Sequence, residues 1–226
     1  MLLSARAFAV LALLGVIAGS VAGVDRAEAQ TGSLTQTPQF AAQGEHASYM
    51  RVYGPSQPPY GFVQFCERQP EECIAGPRED GRFFATAERL SELDAINRFV
   101  NGAIQPATDL EIYGVSEYWT IPTLRGDCED YALLKRRLLI ARGWPAGALT
   151  MTVVRDEKGE GHAVLTARIA QGDLVLDNKT DDIKPWHKTP YEFVMRQSYV
   201  NPRLWMSLDP RHSIPAAIAG VRPPQR

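Results

Sequence analysis

The chain has 226 residues, of which 45% are hydrophobic and 22% are charged, and its formal net charge is −2. A chain of this length can build one domain with its own hydrophobic core. The balanced charge, without a basic patch interleaved with aromatic residues, excludes nucleic acid as a partner.

The first 29 residues have the pattern of a secretory signal peptide. A start that includes Arg6 precedes an apolar stretch from Ala7 to Ala18, and Ala27-Glu28-Ala29 fits a signal peptidase site. The apolar stretch is shorter than the about 20 residues that a membrane-spanning helix needs. We therefore expect residues 1–29 to be removed and the protein to be periplasmic or secreted. An uncleaved N-terminal anchor is the alternative.

Two segments of biased composition flank the expected domain. Residues 30–57 are rich in Gln, Ser, Thr, Gly and Ala with little periodicity, which favours an extended leader. Residues 209–226 are expected to form a flexible tail rich in Pro. The elements of regular structure should therefore lie between these two segments.

The first predicted helix runs from Thr86 towards Pro106, because apolar residues recur there at steps of three and four. Its buried face would contain Leu90, Leu93, Ile96, Asn97, Val100 and Ile104. The aromatic and acidic stretch 109–119 that follows is interpreted as a loop or a short extended segment.

A second helix is predicted to begin at Asp127 or Cys128 and to end at Gly143, before Pro145. Acidic residues in its first turn favour this start, because they complement the helix dipole. After the helix the apolar period changes to two, which indicates strands separated by turns. The strand candidates are 149–155, 162–168 and 174–178. The sequence therefore predicts an α+β fold in which a helix precedes an antiparallel meander.

The chain contains three cysteines. Cys66 and Cys73 lie seven residues apart in a loop-like segment, and this spacing favours a local disulfide in an oxidising compartment. Cys128 would then be the free thiol. A free thiol in an exported protein indicates a function, and a buried inert cysteine is the alternative.

Cys128 stands where the second helix begins, and the unpaired N–H groups of a first helical turn lower the pKa of a thiol. The hairpin predicted between His162 and Asp177 would place them opposite each other or one diagonal apart. A carboxylate that orients an imidazole beside a thiol makes a nucleophilic triad. We therefore predict Cys128, His162 and Asp177 as catalytic residues. His187 is the competing base, and each of the three predicted residues also has a purely structural alternative.

Three sequence strings resemble one known family: Gly126–Ala132, Gly161–Leu165 and Val175–Asn178. They are similar to the bacterial transglutaminase-like cysteine proteinases, including the LapG-type periplasmic proteases, and the likeness covers residues 58–208. The resemblance implies a papain-like or transglutaminase-like fold, with the nucleophile-bearing helix packed on an antiparallel sheet. It also implies a cysteine peptidase without an organic cofactor. The protein substrate of the peptidase would be a large surface adhesin, and a membrane-bound regulatory protein would sequester the peptidase.

Acidic residues on both sides of Cys128 oppose the effect of the helix N-terminus. The charges of Asp127, Glu129 and Asp130 would raise the pKa of the thiol by like-charge repulsion, and a bound cation would reverse this. The resemblance implies a Ca²⁺ site at Asp127 and Glu129, which further oxygen ligands would complete. The alternative is that both acids only complement the helix dipole.

The oxyanion of the reaction would meet the backbone N–H of Cys128, with Trp119 as the side-chain candidate for a second donor. The same triad also fits a protein transglutaminase or a cell-wall peptide amidase. A catalytically inactive binding module is a further alternative. We rank first an exported cysteine endopeptidase that hydrolyses a peptide bond in a periplasmic or cell-surface protein.

Overall fold

The computed structural model describes residues 48–75, 82 and 84–212. The predicted signal peptide, residues 30–47 of the predicted leader and residues 213–226 of the predicted tail lie outside the described residues. Within the described part of the chain, none of the helices has the length and apolar character that crossing a membrane requires.

Nine strands occur in the described residues, and seven of them form one antiparallel sheet. In chain order the strands are β1 (Gly54–Ser56), β2 (Gln105–Pro106), β3 (Arg125–Gly126), β4 (Leu149–Arg155), β5 (Gly161–Ile169), β6 (Gly172–Leu176), β7 (Lys184–Pro185), β8 (Glu192–Gln197) and β9 (Trp205–Ser207). The order across the sheet is β1-β9-β8-β4-β5-β6-β7, and β2 and β3 form a separate parallel pair. The predicted meander therefore forms the part of the sheet made by β4, β5 and β6.

The part of the chain that the structure describes has four α-helices outside the sheet: α1 (Tyr60–Arg68), α2 (Ala87–Ala103), α3 (Asp109–Tyr113) and α4 (Cys128–Ala141). The sequence predicted α2 and α4 close to these bounds. The side chain of Thr86 caps α2 by accepting a hydrogen bond from the N–H of Arg89, at 3.4 Å. Helix α4 contacts β5 and also packs against α2.

One large apolar cluster joins α1, α2 and α4 to one face of the sheet. Its fully buried members include Phe65, Leu93, Leu139, Met151, Leu165 and Leu176. A smaller cluster covers the other face, and it is formed by Met50, Val154, Val164, Val175, Phe193 and Leu208. A nucleophile-bearing helix packed on an antiparallel sheet is the predicted α+β, transglutaminase-like arrangement, and the structure confirms it.

The described end of the predicted leader belongs to the sheet. Strand β1 pairs antiparallel with β9, so that Pro55 lies opposite Met206. Further upstream, the N–H of Met50 donates to the carboxylate of Asp173 at 2.8 Å. The ordered domain therefore begins before residue 58. The polar composition of the segment hides this, because an edge strand needs backbone partners more than apolar side chains.

The stretch 109–119 also differs from the interpretation as a loop or extended segment. It begins with the short helix α3, because Thr108 and Glu111 form a capping box around its first turn. Gly114 ends the helix in the left-handed conformation, with φ of 74°. The capping box fixes the position of Asp109, the first residue of α3.

Cys66 and Cys73 form a disulfide in the structure, with their Cα atoms 5.6 Å apart. Both side chains are buried in the large apolar cluster. Cys128 is the free cysteine of the described residues. At the other end of the domain, Arg211 in the predicted tail forms hydrogen bonds with Asp209 and Glu192, so the ordered part of the domain extends beyond residue 208.

Candidate active site

Cys128 is the first residue of α4, after an extended N-cap residue, Asp127. The helix can begin here because Gly126 leaves room for Asp130: a Cβ at Gly126 would lie 2.7 Å from an oxygen of that carboxylate. Asp130 in turn accepts a hydrogen bond from the N–H of Thr120 at 2.9 Å. The glycine and the buried acid of the motif thus tie the start of α4 to the loop before it.

His162 and Asp177 form a buried pair on neighbouring strands. His162 Nε2 lies 2.9 Å from Asp177 Oδ1, and both residues are at most 5% exposed. In the β5–β6 register, Leu165 lies opposite Leu176, which places Asp177 one diagonal from His162 across the hairpin. The structure therefore brings together the two residues that the hairpin argument paired.

Asp177 remains ionised in this pair. Burial acts to raise its pKa, but the hydrogen bonds from His162 and Tyr191 outweigh burial and hold the pKa below its usual range. An ionised carboxylate can only accept hydrogen bonds, so Nε2 of His162 carries the proton. This leaves Nδ1 as the basic nitrogen of the neutral ring.

The thiol of Cys128 has two hydrogen-bond partners near it. Its Sγ lies 3.1 Å from Glu129 Oε2, and the N–H of Ala163 donates to Sγ at 3.4 Å. Among the described residues, the thiol forms no hydrogen bond with His162, although both side chains line the same two cavities. The ground state is thus a thiol directed at Glu129 beside the imidazole.

The pKa of the Cys128 thiol is raised well above its usual value. Burial is the main cause, and the charge of Glu129 and its hydrogen bond with the thiol add to it. The expectation that the helix N-terminus would lower this pKa towards neutrality is therefore wrong for this state, because desolvation and neighbouring carboxylates outweigh the helix dipole. A base must then remove the proton during the reaction.

Two cavities meet at Cys128 and His162, and Asp127 and Gly161 also line both. One has a volume of about 390 Å³, and its lining includes Pro58, Pro59, Trp119, Val153 and Met195. The other has a volume of about 420 Å³, and its lining includes Thr108, Glu111, Asn178 and Lys179. The thiol therefore borders open space that both cavities contribute.

Three carboxylates form a cluster beside the thiol. Asp109, Asp127 and Glu129 each offer one oxygen, and these oxygens lie within 4.8 Å of one another. Asp109 and Glu129 are buried, and Oδ1 of both Asp109 and Asp127 is buried without a hydrogen-bond partner. The sequence analysis named Asp127 and Glu129 as candidate ligands and missed Asp109. The capping box at Thr108 marks Asp109 as the first residue of a helix, but the contact of its N–H with Asp127 is seen only in the structure.

The cluster has the electrostatics of a cation site. Burial, and then the nearby charge of Asp127, raise the pKa of Glu129 to about 9. Burial, and then the charge of Asp109, also raise the pKa of Asp127. The donor set contains only oxygens, two of which lack a partner, and this is the chemistry that calcium prefers. The residues therefore fit a calcium ion, with further oxygens needed to complete its coordination.

Trp119 lines the cavity of about 390 Å³ next to the thiol and is 3% exposed. Its indole N–H donates to Glu117 Oε2 at 3.0 Å. The indole approaches α1 so closely that a Cβ at Gly61 would lie 2.4 Å from it. The candidate oxyanion donor is therefore near the site, but its proton is engaged by Glu117 in this state.

His187, the competing base of the sequence analysis, lines neither of the two cavities. His187 sits in the 3₁₀ turn Trp186–Lys188, and its ring packs edge-on against the ring of Trp186 with centroids 6.0 Å apart. His46 and the side chain of His212 lie outside the described residues. Of the described imidazoles, the one that lines both cavities with Cys128 is therefore that of His162.

A cysteine in the first turn of a helix that packs on an antiparallel sheet is the arrangement of the transglutaminase-like class of cysteine peptidases. A family model described as bacterial transglutaminase-like cysteine proteinase BTLCP matches residues 52–213. The chain therefore belongs to this family of cysteine proteinases. A comparison with curated proteins gave no match.

Solved structures of LapG from Legionella pneumophila are similar to the chain. The EGTA-treated protein is 28% identical with a TM-score of 0.44, over 52% of this chain and 66% of that one. The calcium-bound protein is 26% identical with a TM-score of 0.45, over 57% of this chain and 77% of that one. The chain thus covers just under two thirds of the first of these structures.

Proposed function

We propose that the protein is an exported cysteine endopeptidase that hydrolyses a peptide bond with a triad of Cys128, His162 and Asp177. The observation that carries this proposal is the buried pair of His162 Nε2 and Asp177 Oδ1, 2.9 Å apart, in a cleft shared with the free thiol. Family membership supplies the cysteine peptidase chemistry, and the pair supplies the base and its orienting carboxylate.

The proton passes between sulfur and nitrogen in the proposed reaction. Cys128 Sγ attacks the carbonyl carbon of the scissile peptide, and its proton moves to Nδ1 of His162. The imidazolium gives this proton to the leaving amine as the C–N bond breaks and a thioester remains. Water then attacks the thioester while His162 accepts its proton, and the proton returns to the sulfur as the acid product leaves.

Asp177 and the helix N-terminus support these steps electrostatically. The ionised carboxylate of Asp177 keeps the proton on Nε2 and stabilises the imidazolium that forms. The backbone N–H of Cys128, in the first turn of α4, is one oxyanion donor. Trp119 remains the candidate for the second donor. Its indole N–H would reach the oxyanion only after releasing Glu117.

Asp109, Asp127 and Glu129 are the residues that would hold calcium. When bound, calcium would neutralise the mutual repulsion of these carboxylates and compete for the oxygen of Glu129 that contacts the thiol. Without this contact the thiol of Cys128 is free to turn towards His162. We therefore propose that these three acids, with calcium bound, hold the thiol of Cys128 within reach of His162.

The N-terminal segment indicates where the protein acts in the cell, and the cleft indicates which class of substrate it takes. The signal-like segment 1–29 supports export to the periplasm or secretion. Cys128 lines two open cavities of about 390 Å³ and 420 Å³, and this amount of space favours a polypeptide over a small molecule. We propose a protein of the periplasm or cell surface as substrate, such as a large adhesin, and a membrane-bound protein as regulator.

The experiment that tests this function is a comparison of new protein N-termini in a cell-envelope extract. The purified protein is added to extract from a strain that lacks it, and new N-termini are labelled and identified by mass spectrometry. Wild-type protein should create a small set of termini, and the variants Cys128→Ala and His162→Ala should not. Equal sets from wild type and Cys128→Ala would overturn the proposal.

Calcium binding has its own test. Titration calorimetry should show calcium binding to wild type and strong weakening in Asp109→Asn, whereas Glu157→Gln, an exposed acid outside the cluster, should bind as wild type does. Unchanged binding in Asp109→Asn would remove this residue from the site. Full cleavage activity of wild type in excess EGTA would show that calcium is dispensable for the reaction.

A further inference from the structure

Tyr191 lies behind the proposed triad, just before β8. Its hydroxyl donates a hydrogen bond to Oδ2 of Asp177, the carboxylate oxygen that His162 does not contact. Its ring packs edge-on against the imidazole of His162, with centroids 5.5 Å apart. One side chain therefore touches both the orienting carboxylate and the base.

The other contacts of Asp177 show what this hydroxyl adds. Oδ1 receives two donors, Nε2–H of His162 at 2.9 Å and the N–H of Lys179 at 3.1 Å. Oδ2 receives the hydroxyl of Tyr191. The backbone carbonyl of Asp177 is held separately by the amide of Asn101, at 3.0 Å. Without Tyr191, one oxygen of a buried carboxylate would lose its protein donor, and the carboxylate could rotate about its Cβ–Cγ bond.

Tyr191 and Asp177 also line a third cavity, which neither Cys128 nor His162 lines. This cavity has a volume of about 190 Å³, and Lys179 and Lys184 also line it. Water that entered the Asp177–His162 contact from this cavity would compete for the carboxylate and weaken its interaction with the imidazole. The hydroxyl of Tyr191 occupies Oδ2 of Asp177, the oxygen that such water would otherwise bind.

We propose that Tyr191 is a positioning residue of the reaction: its hydroxyl locks the Asp177 carboxylate in the rotamer that holds the proton on Nε2 of His162. This inference rests on the proposed function, because it assigns His162 as the base. Burial and the neighbouring carboxylate raise the pKa of Tyr191, so the hydroxyl stays a donor at neutral pH. The hydroxyl acts through Asp177 and does not touch the reacting atoms.

The test compares Tyr191→Phe with Tyr199→Phe. Phenylalanine at 191 keeps the ring over His162 and removes only the hydroxyl. Tyr199 is a control, because its ring packs on Arg168, away from the triad. The first readout is the nitrogen NMR spectrum of the imidazoles, with the signal of His162 identified by its loss in His162→Gln. The second is the rate at which iodoacetamide alkylates Cys128 at neutral pH with calcium present, corrected with Cys128→Ala.

We expect His162 to be the Nε2–H tautomer in wild type and in Tyr199→Phe, and a mixture of tautomers in Tyr191→Phe. Alkylation should slow about tenfold in Tyr191→Phe, as expected for the loss of one hydrogen bond to a charged group, and stay unchanged in Tyr199→Phe. An unchanged tautomer in Tyr191→Phe, with or without a slower reaction, would overturn the positioning role. A tautomer change without a change in rate would overturn it as well.

The same experiment separates this inference from the proposed function. If His162→Gln alkylates as fast as wild type, His162 does not activate Cys128 and the proposed triad fails. If His162→Gln is slower than wild type while Tyr191→Phe matches wild type in both readouts, the triad stands and the role of Tyr191 fails.

Discussion

Replacing Asp177 by asparagine removes the charge of the orienting group while nearly keeping its shape. The amide oxygen can keep the hydrogen bonds that His162 Nε2–H and the N–H of Lys179 donate to Oδ1. The amide nitrogen would then face Tyr191, whose hydroxyl oxygen can accept a hydrogen bond. The tyrosine hydroxyl, however, loses the acceptor that Oδ2 of Asp177 provides, so we expect the free energy of unfolding to fall by about 1–3 kcal/mol, the cost of one unsatisfied buried donor.

The expected loss of activity in Asp177→Asn comes from the imidazolium that forms during the reaction. A carboxylate and an imidazolium with charge centres about 4 Å apart attract by about 4 kcal/mol at an effective dielectric constant near 20. The neutral amide lacks this attraction, so the activation free energy should rise by about that amount. This corresponds to a loss of about a thousandfold in kcat/KM.

The assay measures kcat/KM for a peptide that spans a cleavage site identified in the cell-envelope extract. The matched control is Asp182→Asn, because Asp182 is an exposed carboxylate a few residues away, outside the pair. Asp182→Asn should retain wild-type activity. A loss of less than tenfold in a folded Asp177→Asn would refute the electrostatic reasoning, and an unfolded Asp177→Asn would refute the hydrogen-bond reasoning.

Three further predictions concern stability, each measured by urea unfolding. The double variant Cys66→Ser/Cys73→Ser should have a free energy of unfolding about 2.5 kcal/mol lower than wild type, because the disulfide closes a loop with a sequence separation of 7 and so lowers the entropy of the unfolded chain. A variant as stable as wild type would contradict this. Burial lowers the pKa of Lys135 to about 7 from 10.5, so wild type should gain stability as pH rises from 7 to 10.5. Lys135→Met should therefore be more stable than wild type by up to about 5 kcal/mol at pH 6, with little gain at pH 10.5; a pH-independent gain would refute this. Gly126→Ala should lose about 1–3 kcal/mol, because its methyl group would lie 2.7 Å from a carboxylate oxygen, whereas the helical Gly102→Ala has open space there and should not be destabilised.

The sequence predicted those parts of the fold whose pattern is local and periodic. Helix α2 and helix α4 follow from apolar spacing and their end signals, and the β5–β6 hairpin follows from its turn. The pairing of His162 with Asp177 followed too, because strand register converts a turn position into a distance. These residues needed no knowledge of distant contacts.

Features that depend on distant partners were missed. Strand β1 has a polar sequence and exists because β9 offers an unpaired edge. Asp109 joins the acidic cluster because α3 and the start of α4 meet through the β2–β3 pair, which no local pattern marks. Tyr191 reaches Asp177 from a loop 14 residues away, and its spacing carries no periodic signal.

The thiol shows a different limit. The sequence indicated two opposing effects on the pKa of Cys128, the helix N-terminus and the flanking acids, but not their relative size. Burial decided the outcome, since the thiol pKa is raised mainly by desolvation. Burial of a residue at a helix start depends on what the loops around it cover, and the spacing of residues along the chain does not encode that.

The central claim is that Cys128 forms a thioester that water resolves. Its most direct test is hydrolysis of the substrate peptide in water enriched in ¹⁸O. A thioester on Cys128 that is resolved by water puts one ¹⁸O atom into each new C-terminus, and mass spectrometry detects the added mass. We predict this incorporation with wild-type protein and no product with Cys128→Ala. Product from Cys128→Ala would contradict the role of this nucleophile, and wild-type product joined to an amine without ¹⁸O would identify acyl transfer instead of hydrolysis.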